Sequence, residues 1–304
     1  MSQPAWRRSI KPDGAKAVFI TGCSSGIGRA CVLRFAEAGF NVVATARKME
    51  TLRDLAQLNE KYSGEIRAAQ CDVTSEESRL TVVRFARETF GSIDILINNA
   101  GFGLFGPIEL LALDSARHQL EVNVFGPMRL AQLVIPGMRT NGWGRIINVS
   151  SLAGRMYVPM GGWYSASKYA MEALTDALRL ELSPFGIHTV SIMPGPVETG
   201  FVSNIQTPVR DAKDIPDVYR RIGNTLRARN DGHRHGTVSA DRVAEVVFRA
   251  ATTKKPKTRY PITTQDRMSL CMKKLFSDRA WDKLLVSFYK LGDAIQPRKE
   301  NHTA

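Results

Sequence analysis

The chain of 304 residues carries a formal net charge of +13, with 43% hydrophobic and 23% charged residues, a composition ordinary for a globular protein able to bury a sizeable core. The charge belongs to the ends: residues 254–304 hold twelve Lys/Arg against five Asp/Glu, and residues 1–14 hold three against one. With that placement, and without zinc-finger spacing or an aromatic RNP-like pattern, no nucleic-acid partner is expected.

No stretch approaches the roughly 18 consecutive apolar residues of a membrane span. The basic start is followed by no apolar run, so it is not a secretory signal. Cys23, Cys31, Cys71 and Cys271 lack metal-ligand spacing and read as reduced thiols of a cytoplasmic protein, so no metal is expected.

The first element is the apolar run Ala17-Val18-Phe19-Ile20-Thr21, which leads into Gly22-Cys23-Ser24-Ser25-Gly26-Ile27-Gly28 and then a helical pattern ending at Gly39. Strand, glycine-rich turn and helix aim backbone N–H groups and a helix N-terminus at a phosphate. The spacing is G-x-x-x-G-x-G, a variant of the commoner fingerprint. A second strand, Asn41 to Ala46, ends without the acid that would accept from an NAD ribose 2′-OH. Arg47 and Lys48 follow instead, and a guanidinium there suits the 2′-phosphate of NADP(H).

An amphipathic helix is expected over about 49–61, a third strand over 66–71 ending in Asp72-Val73, and a helix over 75–90. The fourth strand, 93–97, runs into Asn98-Asn99-Ala100-Gly101. Such βα repeats predict an α/β fold with a doubly wound parallel sheet of about seven strands, its ligand crevice beyond the carboxyl ends. Asp72, Asn99 and Gly101 fall at such ends. A long helix over about 114–138 carries Asn123, a fifth strand over 145–149 delivers Ser150 and Ser151, and a helix runs over about 163–182. A sixth strand, 187–193, ends in Pro194-Gly195-Pro196-Val197-Glu198-Thr199.

The helix over 163–182 opens on Tyr164-Ser165-Ala166-Ser167-Lys168. Residues four apart share a helix face, which sets the ammonium near the phenol. A nearby positive charge favours the phenolate and draws the phenol toward the working range. The hydroxyls of Ser150 and Ser151 lie upstream, and Ser151, thirteen residues before Tyr164, is favoured to hold a substrate oxygen beside it.

In these motifs and their order, over about residues 15–262, the chain resembles the short-chain dehydrogenase/reductase family in its single-domain branch. The resemblance implies a Rossmann-type oxidoreductase with Tyr164 as general acid/base, Lys168 lowering the phenol pKa and bonding the nicotinamide ribose, and Ser151 orienting the substrate oxygen. Asn123 would hold a water in the proton relay. Thr21, Gly22, Ser24, Ser25, Gly26, Ile27 and Gly28 would wrap the diphosphate and adenosine, Asp72 and Val73 the adenine, and Asn99 with Gly101 the adenosine ribose side. Val197 with Thr199 would stand at the carboxamide, and Pro194 and Gly195 belong to the same cofactor-binding set. The implied cofactor is NADP, and the implied assembly a homodimer or homotetramer through the helices bearing Asn123 and Tyr164. A weaker similarity, resting on residues 21–28, 44–47 and 255–260, is to the subgroup of hydroxysteroid and retinol dehydrogenases and acyl-dihydroxyacetone-phosphate reductases.

The residues expected to line the pocket are apolar: Leu104, Phe105, Met156, Tyr157, Met160, Trp163 and Phe201. They suggest a lipophilic substrate, although the same side chains could simply pack the loops shut. His233 and His235 have no third ligand nearby and read as loop residues.

Beyond an N-terminal extension (1–14) and the catalytic domain (15–262), residues 263–304 form a basic tail. A short helix is expected over 266–276. Ser277 is a plausible N-cap for a second, in which Trp281, Leu284, Leu285, Phe288 and Leu291 recur at helical spacing. The stripe either docks on the catalytic domain or lies on an anionic membrane. The alternative to an enzyme, a cofactor-bound scaffold acting through the tail, has no use for all of Asn123, Ser151, Tyr164 and Lys168.

Overall fold

In the computed structural model, which describes residues 16–198, 205–207, 215–232 and 237–295, seven short runs become one sheet. They are β1 Ala17–Ile20, β2 Asn41–Ala46, β3 Ile66–Gln70, β4 Ile95–Asn98, β5 Gly144–Val149, β6 Ile187–Met193 and β7 Arg259–Pro261. The order is β7-β6-β5-β4-β1-β2-β3, and every pairing within the sheet is parallel. The chain reverses direction across the sheet between β1 and β4. An open parallel sheet forms its ligand crevice at that switch, beyond the strand carboxyl ends.

The side-chain period of two divides the core between the faces. Val18 and Ile20 of β1 face one layer with Val42 and Ala44, covered by helices α1 (Gly26–Glu37) and, further on, Ala240–Thr252. Phe19 faces the other with Val43, Leu96 and Ile146, covered by α2 (Glu76–Phe90) and the helices that follow it. Ser75 starts α2 as a true cap, its hydroxyl accepting from Ser78 N–H at 3.2 Å.

Two expected helices depart from a simple reading. Over 49–61 the chain makes three short turns, at Met49–Leu52, Arg53–Ala56 and Gln57–Lys61. Asn59 is the reason near the end: its amide accepts from Ile66 N–H at 2.6 Å and donates to Ile66 O at 3.1 Å, a side-chain bond to backbone that competes with a continuing helix. The long helix over 114–138 is two helices, α3 (Leu113–Leu120) and α4 (Gly126–Thr140), joined by a π turn at Glu121–Phe125. Asn123 sits inside that turn, and such insertions are frequent at functional sites.

After α5 (Gly162–Leu182) come α6 (Asp217–Gly232), α7 (Ala240–Thr252), α8 (Thr264–Leu275), α9 (Asp278–Phe288) and the short α10 (Gly292–Ile295). The second tail helix starts at the Ser277 cap that the sequence places, and the first starts two residues before the expected 266. Thr263 and Asp266 form a reciprocal capping box, and Ser277 accepts from Ala280 N–H. Trp281 and Leu285 are buried against Met156, with Leu152, Tyr157 and Leu284 packed around them. The apolar stripe of the tail therefore docks on the segment that follows β5. Among the described residues no helix is long and apolar enough to cross a membrane. Cys23, Cys31 and Cys71 are buried free thiols and Cys271 is an exposed one.

Candidate active site

The turn after β1 is built by side chains that bond to one another. The Thr21 hydroxyl is buried and accepts from the N–H groups of Asn99 and Ala100, both at 3.0 Å. The Asn99 amide donates back to the carbonyls of Thr21 (2.9 Å) and Gly22 (3.1 Å). Thr21 and Asn99 thus lock the end of β4 to the turn and shape the cradle from behind. Gly22 and Gly26 take positive φ, 72° and 55°, where a side chain is strained. A Cβ on Gly28 would run into the Gly22 carbonyl oxygen, so glycine is what lets α1 pack this close to the strand.

The cradle fits an anionic diphosphate. Ser24 and Ser25 are exposed at the start of α1. Ser25 is its N-cap but makes no side-chain capping bond, and the first turn carries no acid. Helix N–H groups free of a capping side chain are the donor set a phosphate needs. Ile27, half-buried, turns inward onto the core. At the end of β2, Arg47 is exposed beside the buried Ala46. Asp72, at the end of β3, accepts from Thr74 N–H (2.9 Å) and Thr74 Oγ1 (2.7 Å). Burial works against its charge, but those bonds and the Arg47 cation hold its carboxyl below the ordinary range. Val73 beside it is buried.

Asn123 uses its side chain as a clamp. Its amide donates to Phe102 O and to Ser167 Oγ, each at 3.0 Å, and its oxygen accepts from Phe102 N–H at 3.1 Å. Gly101 leaves room for that oxygen, which a Cβ would meet at 3.0 Å. The π turn, the β4 exit and α5 are thereby tied together.

On α5, Tyr164 and Lys168 are both buried. Ser151 follows β5 and is hydrogen-bonded to the Tyr164 phenol; its oxygen also accepts from Ala153 N–H at 3.1 Å. Ser150 is buried on the other side, its hydroxyl against Gly154. Geometry therefore selects Ser151 as the serine at the phenol.

The charges differ from the simple expectation. Lys168 Nζ lies 5.9 Å from the Tyr164 ring centroid and donates to Val149 O at 2.9 Å. Burial pushes the phenol up, with the Ser151 bond working against it. Lys168 is pulled down to about 8 by burial, with the Glu172 carboxylate opposing. In this state desolvation outweighs the Ser151 bond, and the phenol is held protonated rather than ionised.

The sequence reading missed what stands behind Lys168. Glu172, buried one turn on, accepts from Arg155 Nε (3.3 Å) and Arg259 Nε (2.7 Å) and bonds the Ser191 hydroxyl. Asp176, a turn further, pairs with Arg155 at 2.9 Å and with Arg259. A signal existed: residues 168, 172 and 176 recur every four positions on one helix face. The arginines that answer them are distant in sequence.

The apolar residues divide. Leu104 is fully buried with Leu111 and Ala116, and Trp163 packs on that cluster. Met156 and Tyr157 lie beneath the tail, where the Tyr157 hydroxyl bonds Asp282. These four close the loops rather than line an open pocket. Phe105 stands at the site, its ring stacked on Tyr164 at 5.6 Å between centroids. Met160 takes φ 61° and accepts from Gly106 N–H at 2.7 Å.

Beyond β6, Pro194 O accepts from Leu152 N–H at 3.1 Å, and Val197 pairs in parallel with Val238. A Cβ on Gly195 would meet Asp266 Oδ1 at 2.7 Å, so glycine there lets the capping box of α8 approach. Thr199, Phe201, His233 and His235 lie outside the described residues.

A Rossmann sheet with a diphosphate cradle at the switch point, and a Ser–Tyr–Lys set at the carboxyl ends beside it, defines a nucleotide-dependent oxidoreductase. The family model described as short chain dehydrogenase matches residues 16–210, and the chain belongs to that family. It is 36% identical over 268 residues to human 17-beta-hydroxysteroid dehydrogenase type 1, covering 85% of this chain and 80% of that one. It is 34% identical over 280 residues to an NADPH-dependent 3-dehydrocapnine reductase of Ornithobacterium rhinotracheale, covering 89% and 95%. A short chain dehydrogenase/reductase of Burkholderia phymatum, solved in complex with NAD, superposes with a TM-score of 0.74 at 25% identity, covering 88% of this chain and 94% of that one.

Proposed function

We propose that the protein is an NADP(H)-dependent oxidoreductase that interconverts a secondary alcohol and a ketone on a lipophilic small molecule, with Tyr164 as general acid/base. One observation carries the reading: a buried phenol hydrogen-bonded to Ser151, with a buried ammonium one turn along the same helix. The nicotinamide, when bound, supplies or accepts the hydride. The side chains do the rest. Ser151 Oγ and Tyr164 Oη converge on one place, where a substrate oxygen receives both donors. A phenol kept protonated by burial is the form that gives its proton to a ketone oxygen as charge develops there. Lys168 carries the positive charge that eases that release. Asn123 holds α5 in register with the β4 exit and stands where a relay water would enter.

The diphosphate falls to Gly22, Ser24, Ser25, Gly26, Ile27 and Gly28, and Arg47 takes the 2′-phosphate. Asp72, Val73, Asn99 and Gly101 stand on the adenosine side, and Pro194, Gly195, Val197 and Thr199 on the nicotinamide side. The exposed guanidinium after Ala46 supports NADP(H), as does the name of the reductase relative. The apolar Phe105 over the phenol supports a lipophilic substrate, in keeping with a relative named for hydroxysteroids. The reading places the enzyme in the cytoplasm as a homodimer or homotetramer. Phe125 (56% exposed) and Leu180 (67%) are among the apolar residues that the helices bearing Asn123 and Tyr164 leave uncovered.

The test follows loss of the reduced nicotinamide with a panel of ketones running from small polar to multi-ring. Turnover with NADPH exceeding that with NADH, and rising with substrate apolarity, is the expected result. Turnover of small polar ketones alone would overturn the lipophilic assignment, and preference for NADH would overturn the cofactor.

A further inference from the structure

The tail has two faces, and docking accounts for one. Trp281 and Leu285 are buried on the loop after β5. The other face stays outside: Met268 is 57% exposed, Phe276 42%, and Leu275, at the corner between α8 and α9, 84%. No other large hydrophobic among the described residues is so exposed. Residues 264, 267, 268, 271, 274 and 275 of α8 are all exposed, at the spacing of one helix face.

Cations rim this apolar corner. Arg267, Lys274, Arg279 and Lys283 are exposed and form no ion pair with any described residue. The acids nearby are engaged elsewhere. Asp266 is buried as a cap, Asp278 pairs with Lys273 at 2.8 Å, and Asp282 bonds the Tyr157 hydroxyl. What remains outward is apolar tips in a positive field.

We infer that this outer face of α8 and the start of α9 is an anionic-lipid surface, on which Met268, Leu275 and Phe276 enter the headgroup region while Arg267, Lys274, Arg279 and Lys283 meet lipid phosphates and carboxylates. A protruding leucine needs a complementary groove on a protein partner, whereas a bilayer interface accepts it without one. Unpaired cations around it fit the negative surface potential of anionic lipid. The inference goes beyond the oxidoreductase reading and is independent of it, because binding is measured without turnover. It also unites the two fates expected for the tail, α9 docked through Trp281 and Leu285 and the exposed face of α8 on lipid.

The full chain is sedimented with vesicles of phosphatidylcholine, and with vesicles carrying about a third phosphatidylserine, at low and at physiological salt. Co-sedimentation with the anionic vesicles only, weakened several-fold by salt, is expected. Leu275→Asp, and separately Lys274→Glu with Arg279→Glu and Lys283→Glu, should each reduce the bound fraction about tenfold at unchanged Tm. The milder Leu275→Ser covers the case in which a reversal unfolds the tail. Absence of binding, equal binding to neutral vesicles, or binding unaltered in folded variants would overturn the inference. A change of oligomeric state in Leu275→Asp without any vesicle binding by the wild type would assign the corner to a second copy of the chain instead.

Discussion

The cradle after β1 and the catalytic pocket after β5 are built on opposite plans. In the cradle, two motifs, one after β1 and one after β4, bond to each other: Thr21 to Asn99, Asn99 to Gly22, with Gly28 against Gly22. What faces outward is backbone and exposed serine. In the pocket, the chemistry is in side chains, and the parts that hold them arrive from far away. Arg259 of β7 reaches Glu172, Trp281 covers Met156, and Asp282 takes the Tyr157 hydroxyl. A cradle is a shape that two sequence motifs can fix between them. A catalytic set needs its side chains held in place, and here the C-terminal helices cover the segment between Ser151 and Tyr164 at Met156 and Tyr157.

The largest effect should come from removing that cover. Trp281 is 2% exposed, and truncating a buried tryptophan costs about 3–5 kcal/mol. Trp281→Ala is expected to lower Tm by many degrees and to raise KM for ketones through the loosened loop at Met156, with NADPH affinity changed far less. An equal loss of cofactor affinity would show that the two regions are not separable.

Arg47→Asp sharpens the comparison from the other side. Replacing a cation that bonds a phosphate by a carboxylate should weaken NADPH by roughly 10–100-fold, the equivalent of about 1.5–3 kcal/mol. Affinity for NADH should rise, since the acid accepts from a 2′-OH. Fluorescence titration of the two reduced cofactors checks this, and Tm should hardly move. Equal NADPH affinity in both proteins would make Arg47 a bystander.

These two residues also mark how far the sequence could be read. The sheet, six of its strands and the positions of the cradle were legible because short apolar runs and glycine spacing are local signals, whereas the three-residue β7 at Arg259–Pro261 was not placed. So were the two tail helices, the second announced by its Ser277 cap and an apolar stripe. The π turn at Glu121–Phe125 was not, because Asn123 becomes a reason to break the helix only when Phe102 and Ser167 are brought to it. The apolar residues before Tyr164 left two readings open for a similar reason. Leu104 and Met156 look the same whether they line a ligand or lie under a helix, and only long-range packing tells them apart. The phenol's environment was the third gap. A lysine four residues away is visible in the sequence, but the burial that pushes the phenol up is not.

The pH profile carries the smallest and most specific effect. The phenol is pushed up, so the acid form that reduction needs is complete at neutral pH and is lost only as pH rises through that elevated value. The base form that oxidation needs grows over the same range. In the free enzyme, kcat/KM for reduction should be flat near neutrality, and kcat/KM for oxidation should climb with pH. Lys168, lowered to about 8, sheds its charge on the way and should add an inflection there. Lys168→Arg, whose guanidinium stays charged, should lack it. Oxidation that is flat or falling between pH 7 and 9 would contradict the assignment of charges.

The central claim is that Tyr164 moves the proton in a site whose cofactor cradle is built independently of it. Tyr164→Phe keeps the ring under Phe105 and removes only the hydroxyl, so NADPH titration and ketone turnover measured on this one variant test the claim directly. The account predicts cofactor affinity within a factor of a few of the wild type and a loss of turnover of at least about 10²–10⁴-fold. Turnover within a factor of a few of the wild type would contradict it.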